Sequence, residues 1–534
     1  MKKPLIILPF LFVISHFLFL FSHNVHLVSP SEMFLPLAVA LGFTLLLVLL
    51  SRLIFRGNHK VGIFVFIILI LFFSYGYIFK LIDGWRIGNI FIGRHRYLIL
   101  IWGMLFTSAI YFLYFTRKDL YNYTNFFKIV AISSMVISLI NIGVYKVKTS
   151  SNSQHEINII NNVGSNTVHS ESELDLRDIY YIILDGYASS NTLNKVYDYD
   201  NQNFIDQLTT KGFYVASKSH SNYVISFLSL ASSLNMKYIN YLTDEVGIES
   251  VNRSWPNKMI KSSKVMNSLK SEGYKFIHFS SGWGATDHNQ FADYNINTAI
   301  INEFQMVVIQ STLLSLFEKV FGFVKFDERK RVLGTFSQLA EVHNIEGPKF
   351  IFAHIMCPHP PFLFGANGES VSDAKLNMYG TVWNQKENYI NQLIFINKKV
   401  EMLVDEILAK SDIPPIIILQ GDHGPASSFI DPVTYDDSDG WERPTDNMLK
   451  ERTGIFNAYY LPLDGDQYLY NSITPVNSFR LIFNLYFNTT YKMLDDQIYF
   501  SNYTRPYEFF NVTNKVNYHI GKTNNQDILS LTEQ

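Results

Sequence analysis

The sequence predicts a multi-pass α-helical membrane domain followed by an α/β domain with a mostly parallel central sheet. Of its 534 residues, 48% are hydrophobic and only 17% are charged, which is apolar for a soluble protein of this length. The apolar residues are concentrated in the first ~150 positions, where they form long runs. After Asp178, short apolar runs alternate with segments of helical spacing, which is the pattern of an α/β fold.

Five apolar runs predict five transmembrane helices, because each is close to the ~20 residues that cross a bilayer. They occupy roughly residues 4–22, 33–51, 61–82, 97–116 and 129–146. The first run follows Lys2 and Lys3 and could be read as a signal peptide, but no small-residue cleavage site comes after it. We therefore predict a membrane domain over residues 1–148 that keeps all five helices.

The basic residues near the helix ends predict the orientation, since cytoplasmic loops retain Lys and Arg. The residues predicted to face the cytoplasm, together with the amino terminus, are Lys2, Lys3, Arg52, Arg56, Lys60, Arg117 and Lys118. Arg86, Arg94 and Arg96 would lie on the outer side and disagree with this orientation, but they are outnumbered. Five crossings from a cytoplasmic amino terminus then put everything after about residue 148 on the extracytoplasmic side.

The rest of the chain divides by composition. Residues 149–176 are polar with little apolar periodicity and predict a flexible linker. Residues 177–505 are the predicted α/β domain, and the Asn-rich tail 506–534 carries no functional signal. A net charge of −2 without a dense Lys/Arg tract argues against a nucleic-acid partner. The single cysteine, Cys357, excludes an intramolecular disulfide and is interpreted as a packing residue.

Four short runs that are apolar on both faces predict strands of a parallel sheet buried between helices. They are IYYIIL (179–184), YKFIHF (274–279), KFIFAHI (349–355) and PIIILQ (415–420). Apolar residues at helical spacing predict helices over 201–211, 226–240, 262–272, 299–320, 386–409 and 475–487. This alternation favours an α/β sandwich.

Two of the predicted strands end in acidic residues. Asp185 follows the first strand, and Asp422 and His423 follow the last one with a glycine on either side. Functional groups gather beyond the carboxyl ends of strands in open α/β sheets, so both ends would face one crevice. Carboxylate oxygens with an imidazole nitrogen suit Zn²⁺ or Mn²⁺, and the glycines would let the backbone turn tightly. The alternative is that Asp-His-Gly forms only a turn with a helix cap.

A serine near the start of a predicted helix is the candidate nucleophile. Ser226 lies where the segment 220–235 becomes helical, so its hydroxyl would face amide donors and the positive end of the helix dipole. A metal in contact with this oxygen would stabilise the alkoxide. The nearby serines are interpreted mostly as caps or packing residues: Ser221, Ser229, Ser232 and Ser233.

Two histidines belong to the third predicted strand and the loop after it. The proline-rich loop 356–362 would hold His359 at the edge of the crevice, where it could bind a substrate oxygen or protonate a leaving group. His354 lies five residues earlier. A second metal held by His354 and His359 is the less favoured interpretation, because the proline turn need not point both rings at one ion.

Taken in order, these residues resemble the alkaline phosphatase/sulfatase superfamily. The matches are Tyr180-Tyr-Ile-Ile-Leu-Asp185-Gly, Pro358-His359-Pro-Pro-Phe362 and Gly421-Asp422-His423-Gly424. The helical anchor before the α/β domain resembles the branch of lipoteichoic acid synthases and phosphoethanolamine transferases. The similarity extends over about residues 1–490.

The resemblance implies that Asp185, Ser226, Asp422 and His423 are the ligands of one divalent metal. Zn²⁺ and Mn²⁺ are favoured, and Mg²⁺ is the alternative. Ser226, where this branch more usually has threonine, would be the nucleophile of a covalent intermediate. His359 would help to hold the donor or the leaving group.

Weaker matches concern a turn and a modification motif. Trp283, Thr286 and His288 follow a predicted strand and would border the substrate pocket, although an ordinary surface turn explains them equally well. True sulfatases need Cys/Ser-x-Pro-x-Arg to form formylglycine, and the residues from Cys357 onward, Cys-Pro-His-Pro-Pro, do not fit this motif. Hydrolysis of sulfate esters is therefore disfavoured.

The resemblance implies an enzyme of the bacterial cytoplasmic membrane that transfers a phosphate-containing headgroup. The donor would be a membrane lipid with a phosphoglycerol or phosphoethanolamine headgroup, and the acceptor an envelope glycan or lipid. A phosphodiesterase or phosphatase of the same fold is one alternative, and a catalytically inactive protein that binds an envelope polymer is another. Neither the donor, the acceptor nor the oligomeric state follows from the sequence.

Overall fold

The chain folds into two compact units in the computed structural model. The helical unit comprises Met1–Asn166 and Ala299–Glu328, and the α/β unit comprises Thr167–Thr298 and Arg329–Gln534. The structure describes residues 6–25, 28, 30–83, 85–87, 90–161, 176–372, 374, 376, 380–430 and 438–516.

The amino-terminal part of the helical unit consists of helices that coincide with the predicted apolar runs. They are Leu8–His23, Pro30–Ile54, Asn58–Ile82, His95–Phe115 and Tyr121–Asn161. The last four are long and apolar enough to cross a membrane, whereas the first has only 16 residues. Large apolar side chains such as Leu46 and Phe115 are exposed, as expected for surfaces that face lipid. An antiparallel pair, Arg86–Ile87 with Ile90–Phe91, lies between the third and fourth helices.

The predicted helix 299–320 is wrong in both shape and place. The segment forms two helices, Glu303–Ser311 and Leu314–Phe321, that are bent by 102° and belong to the helical unit. Gly76 permits close packing there, since a Cβ at this position would lie 2.2 Å from the Gln310 carbonyl oxygen. Helical apolar spacing is the same whether a helix packs on a sheet or on other helices, so the pattern does not distinguish these partners.

The boundaries of the predicted domains change accordingly. The predicted α/β domain 177–505 is interrupted by Ala299–Glu328. The helix Tyr121–Asn161 extends into the predicted linker 149–176, because a helix that has already formed continues without an apolar face. Within that linker, residues 162–175 lie outside the described residues.

The α/β unit also extends beyond its predicted carboxyl-terminal boundary. Phe510–Asn511 pairs antiparallel with Tyr499–Phe500, and a short helix, Thr513–Val516, follows. The predicted tail 506–534 therefore begins inside the folded unit. Its remaining part, 517–534, lies outside the described residues.

The α/β unit is built on a seven-stranded sheet. In spatial order its strands are Tyr214–Val215, Asn457–Tyr460, Ile416–Gln420, Ile179–Leu184, Lys349–Ile355, Lys275–Phe279 and Tyr294–Ile296. Neighbouring strands among the last five pair in parallel. The second strand, Asn457–Tyr460, pairs antiparallel with the strands on both of its sides. The prediction of a mostly parallel sheet is confirmed, and the four predicted strands lie side by side at its centre.

Burial explains which strands the sequence revealed. Every residue of Ile179–Leu184 and of Ile416–Gln420 is buried, which is why these strands are apolar without alternation. The strands that the sequence did not reveal have only two to four residues, too few to show a pattern: Tyr214–Val215, Tyr294–Ile296 and Asn457–Tyr460.

Most predicted helices of the α/β unit are confirmed. The prediction 226–240 is too long, because Met236 takes the left-handed conformation with φ of 54° and ends the helix Ser226–Asn235. The other confirmed helices are Gln202–Thr210, Lys264–Ser271, Lys386–Lys410 and Pro475–Tyr486. The remaining α-helices are Ser190–Tyr197, Leu242–Val246, Ser254–Lys261, Gly284–Asp287, Ser438–Glu442 and Asp446–Thr453. The helix Phe323–Leu339 has its first six residues in the helical unit. Short 3₁₀ helices are Val342–Asn344, Gly380–Asn384, Ser427–Phe429 and Gly465–Tyr468.

Candidate metal and nucleophile site

Five titratable side chains converge beyond the carboxyl ends of three adjacent central strands. None is more than 4% exposed, although charged groups are rarely buried without a partner. They are Asp185 after Ile179–Leu184, Asp422 and His423 after Ile416–Gln420, and His354 and His359 at and after the end of Lys349–Ile355. Parallel strands bring their carboxyl ends to one edge of the sheet, which is how residues so far apart in sequence meet.

The glycines next to these residues are needed mainly because backbones pack closely. Gly186 has a positive φ of 71° and makes the turn after its strand. At Gly421 a Cβ would lie 2.5 Å from the Tyr187 carbonyl oxygen, and at Gly424 it would lie 2.0 Å from that of Glu451. The structure therefore replaces the predicted tight turn at these two positions with close backbone approach.

The His423 ring is held so that Nε2 faces two carboxylates. Its Nδ1 lies 2.9 Å from the Gly424 carbonyl oxygen, and because a carbonyl only accepts, Nδ1 carries the proton. The other nitrogen, Nε2, then carries a lone pair and lies 3.4 Å from Asp422 Oδ2 and 3.6 Å from Asp185 Oδ1. A lone pair opposite two carboxylate oxygens is repulsive unless a cation lies among them.

Three polar atoms of the cluster lack a hydrogen-bond partner among the described residues. Asp185 Oδ1, Asp422 Oδ2 and His354 Nε2 are buried without a hydrogen-bond partner. Two groups of side chains each offer ligand atoms that all lie within 4.8 Å of one another. One group is Asp185, His359 and His423, and the other is Asp185, His354 and Asp422. Carboxylate oxygens and imidazole nitrogens at this spacing fit a divalent metal such as Zn²⁺ or Mn²⁺.

The pKa values of the two carboxyl groups, Asp185 and Asp422, are shifted in opposite directions. Burial, together with the charge of Asp185, raises the pKa of Asp422 to about 7. Burial alone would also raise the pKa of Asp185, but the neighbouring histidines, His359 first among them, hold it below its usual value. Burial lowers the pKa of His423 well below its usual value, so this ring is neutral. The cluster thus offers one firmly ionised carboxylate and one that gains or loses its proton near neutral pH.

Ser226 is the first residue of the helix Ser226–Asn235. Its Oγ lies 3.0 Å from His423 Nε2, so the hydroxyl donates to the lone pair on this nitrogen. The preceding residue, Ile225, provides no side-chain cap for the helix. An anionic group at Ser226 would therefore meet uncapped amide groups and the positive end of the helix dipole.

The neighbouring serines have other roles. Ser229 Oγ donates to the carbonyl oxygen of Asp422 over 2.7 Å, which connects this helix to the loop after the strand Ile416–Gln420. Ser232 and Ser233 donate to backbone carbonyls of their own segment, and Ser221 is buried. Ser229 has a positioning contact that the sequence did not reveal.

His359 is oriented as an acceptor rather than as a proton donor. Its Nδ1 lies 2.7 Å from the Pro360 carbonyl oxygen and therefore carries the proton, which leaves a lone pair on Nε2. Burial lowers the pKa of this ring, although the charge of Asp185 opposes the effect. The expectation that His359 protonates a leaving group does not fit this arrangement, whereas binding of a cation does.

His354, Thr286 and Ser281 form a hydrogen-bonded chain behind the site. His354 Nδ1 lies 2.8 Å from Thr286 Oγ1, which in turn lies 2.7 Å from Ser281 Oγ. The other ring nitrogen, Nε2, makes no hydrogen bond to any residue that the structure describes and faces Asp185 Oδ2 at 3.2 Å. Thr286 is fully buried, so the expectation that it binds substrate is replaced by a positioning contact to His354. Trp283 packs edge-on against His354 and lines the cavity at Ser226.

One cavity borders the cluster, and a second cavity shares two lining residues with the first. The nucleophile cavity is lined by Asp185, Ser226, Trp283, His359, Arg253 and Tyr503, among others. The arginine cavity has a volume of about 280 Å³ and is lined by Arg253, Arg452, Trp383, Trp441, Tyr503, Gly380, Ala426 and Ile430. The two arginines lie far from every motif in the sequence, and no spacing pattern pointed to them. His288 is exposed and lines neither cavity.

Cys357 is buried within the hydrophobic core of the α/β unit. Burial raises the pKa of its thiol well above the usual value, which keeps the sulfur protonated and unreactive. Its interpretation as a packing residue agrees with this environment.

Comparison with known proteins places the α/β unit in a family. The sequence model of the sulfatase family matches residues 177–460, more than half of the chain. The chain belongs to the sulfatase family. No curated protein sequence matches it.

Solved structures that are similar to the chain include transferases and sulfatases. The periplasmic domain of EptC from Escherichia coli is 14% identical, covers 64% of this chain and 94% of its own, and has a TM-score of 0.40. Lipooligosaccharide phosphoethanolamine transferase A (EptA) from Neisseria meningitidis is 10% identical, with coverages of 90% and 94% and a TM-score of 0.36. A sulfatase-like protein from Bacteroides thetaiotaomicron is 12% identical, with coverages of 61% and 78% and a TM-score of 0.35. All three TM-scores are below 0.5, so the family assignment rests on the sequence match.

Proposed function

We propose that the protein is a membrane-anchored, metal-dependent enzyme that transfers a phosphate-containing lipid headgroup to an envelope glycan or lipid through Ser226. The observation that carries this proposal is the 3.0 Å contact of Ser226 Oγ with His423 Nε2, beside buried carboxylate oxygens that lack donors. Membership of the sulfatase family and the apolar helices support it. The family fold alone does not select the reaction, since related sites cleave or transfer several kinds of ester.

The residues of the cluster fit a divalent metal. Asp185, Asp422, His423 and the Ser226 oxygen would hold it, and the His359 lone pair faces the same cluster. When bound, the metal supplies positive charge that stabilises a serine alkoxide and the phosphoryl oxygens. Ser229 and the close packing at the glycines keep the ligand loop in place.

The transfer takes place in two displacements at phosphorus. Ser226 Oγ forms a bond to the donor phosphorus as the bond to the diacylglycerol oxygen breaks, and the serine proton leaves with diacylglycerol. The amide groups at the start of the helix hold a phosphoryl oxygen. The acceptor hydroxyl then attacks the same phosphorus, gives up its proton to Ser226 and releases the enzyme. If water takes the place of the acceptor, the reaction is hydrolysis, which is the alternative function.

Sulfate esters are not the proposed substrates, in spite of the family name. Formylglycine formation needs Pro and Arg two and four residues after the modified Cys or Ser. Leu228 and Leu230 occupy these positions after Ser226. Cys357 is buried in the core and is not followed by the motif either.

The α/β unit would act on the extracytoplasmic side of the cytoplasmic membrane, as the basic residues predict. This orientation can be tested with Ser217→Cys, because Ser217 is exposed and the native Cys357 is buried. We expect a membrane-impermeant maleimide to label the variant in intact cells and to leave the wild type unlabelled. Labelling only after permeabilisation would show that the unit is cytoplasmic.

The function is tested in proteoliposomes with fluorescent phosphatidylglycerol or phosphatidylethanolamine. We expect the wild type to release diacylglycerol and Ser226→Ala to release none. Ser232→Ala, on the same helix but bonded away from the cluster, serves as the control with normal release. Release that requires an added envelope glycan supports transfer, whereas equal release without any acceptor favours hydrolysis. Equal release by Ser226→Ala would contradict the proposal.

A further inference from the structure

An arginine is buried beside the candidate nucleophile, and each of its hydrogen-bond partners among the described residues is neutral. Arg452 is 1% exposed, and its guanidinium donates to the Val224 and Gly424 carbonyl oxygens and to the Tyr503 hydroxyl. All three acceptors are neutral. Among the residues that the structure describes, no carboxylate lies within 4.0 Å of this guanidinium. A buried charge without a counter-charge is costly, so such a charge points to a ligand of opposite sign.

A second arginine links this group to the nucleophile. Arg253 immediately precedes the helix Ser254–Lys261, and its guanidinium lies 4.9 Å from the centre of the Phe227 ring. Phe227 is the residue after Ser226, so the nucleophile helix itself supports Arg253. Within the described chain the Arg253 guanidinium makes no hydrogen bond and no ion pair. Its donors are therefore free for a ligand.

The cavities connect these observations. Arg253 and Tyr503 line both the nucleophile cavity and the arginine cavity, so the two cavities meet at these side chains. The arginine cavity, at about 280 Å³, is small for a whole drug-sized ligand but large for a single phosphate. A phosphate together with part of its carrier matches this size.

We infer that the arginine cavity binds an oxyanion of the phosphate type that belongs to the substrate and is separate from the phosphorus attacked by Ser226. Guanidinium groups bind phosphate with paired, charge-assisted hydrogen bonds, and neither Arg253 nor Arg452 forms an ion pair with any residue that the structure describes. A substrate without this second anion leaves both charges unpaired, so the cavity selects polyanionic substrates. The inference rests on the proposed function, since it identifies a second feature of the same substrate.

Inorganic phosphate and tryptophan fluorescence test the cavity directly. The full-length protein in detergent is stripped of metal with a chelator, so that the metal cluster does not hold the anion. Trp383 and Trp441 line the arginine cavity, whereas Trp283 lines the nucleophile cavity. We expect a saturable fluorescence change that Trp441→Phe strongly reduces and Trp283→Phe preserves. A signal carried by Trp283 alone, or no saturable signal, would overturn the inference.

Variants of Arg253 then identify the group that binds. Arg253→Gln should raise the apparent Kd for phosphate at least about tenfold, and Arg253→Lys should restore part of the affinity because it keeps the charge. Arg505→Gln, which removes a surface arginine paired with Glu249, is the matched control with unchanged Kd. Thermal unfolding of each variant verifies that it is folded. An unchanged Kd in folded Arg253→Gln would overturn the inference.

Kinetics with lipid donor identify the molecule that carries the anion. If the oxyanion is part of the donor, Arg253→Gln raises the KM for the donor; if it is part of the acceptor, the KM for the acceptor rises instead. If neither KM changes, the cavity is not a substrate site. Phosphate binding to metal-free protein does not require Ser226, and Ser226→Ala should bind phosphate normally. Failure of the proposed transfer and failure of this inference are thus distinguishable.

Discussion

The two units differ in the side chains that need a partner outside the protein: the helical unit exposes many large apolar side chains, and the α/β unit buries a cluster of titratable ones. In the helical unit, three of the four long apolar segments are no more than 17% buried, and only that of Asn58–Ile82 is more than half buried. In the α/β unit, two carboxyl groups and three histidines are buried together. Exposed apolar helices are stable against lipid, and buried carboxylates are stable with a cation. The difference indicates that each unit needs a partner of its own: a bilayer for the helical unit and, under the proposed function, a divalent metal for the α/β unit.

The largest expected effect comes from removal of a charge from the buried cluster. Asp185 belongs to both groups of ligand atoms, so Asp185→Asn should abolish stoichiometric metal binding and lower turnover at least ~10³-fold. Metal content per chain, measured by elemental mass spectrometry, checks this. Asp405→Asn, an exposed carboxylate paired with Lys211, should retain the metal. Full metal content in Asp185→Asn would show that the cluster is not the metal site.

The next largest effect is a loss of stability when alanine replaces a closely packed glycine, and it should be absent at a glycine with open space around it. Gly424→Ala puts a Cβ against the Glu451 carbonyl oxygen, and backbone cannot move aside as a side chain can, so we expect a cost of about 3 kcal/mol or more. Gly103, on a lipid-facing helix, has nothing within 4 Å of its Cβ position, and Gly103→Ala should be neutral or stabilising. Thermal unfolding of the purified chain measures both. Equal melting temperatures would mean that the loop at Gly424 has room to relax.

Two single lysine substitutions test whether exposed apolar residues face lipid or water. Leu46 in the middle of Pro30–Ile54 and Leu463 in the α/β unit are both more than half exposed. Leu46→Lys should cost about 2.5–3.5 kcal/mol of membrane insertion, whereas Leu463→Lys should change stability by less than ~0.5 kcal/mol. The fraction of chain that is recovered in the membrane after expression measures the first effect. If both variants insert normally, this helix does not face lipid.

The smallest effect is a pH dependence of metal affinity. A carboxyl group binds metal only when it is ionised, and the pKa of Asp422 in the metal-free protein is about 7. Below pH 7 the metal must displace this proton, so the apparent affinity should fall by up to ~tenfold per pH unit as the pH decreases and should level off above about pH 8. Competition with a chelating dye measures this slope. A flat profile between pH 5 and 8 would contradict the raised pKa.

The sequence predicted those parts of the site that are adjacent to recognisable strands. Asp185, Asp422 and His423 directly follow long buried strands, so an apolar run ending in an acidic residue was enough to find them. Arg452 precedes the short strand Asn457–Tyr460, and Arg253 precedes a short helix, so neither is marked by a strong pattern. Folding alone brings them to one cavity.

The orientation of the His359 ring also could not be predicted from the sequence. His359 was predicted at the site, but its role depends on the hydrogen bond from Nδ1 to Pro360, which no spacing encodes. Thr286 was predicted near the pocket, and it lies instead behind His354. The spacing of apolar residues was enough to predict most helices and strands. It failed for Ala299–Glu328, because the same helical spacing fits a helix that packs on a sheet and a helix that packs on other helices.

The central claim is that Ser226 forms a covalent bond to a transferred phosphoryl headgroup. Intact-mass spectrometry of the full-length protein, quenched early after mixing with phosphatidylglycerol or phosphatidylethanolamine, tests it most directly. We predict a mass increase of one headgroup phosphate in the wild type and in Ser232→Ala, and none in Ser226→Ala. If metal and donor are bound but no protein gains mass, or if Ser226→Ala gains the same mass, the covalent route through Ser226 is wrong.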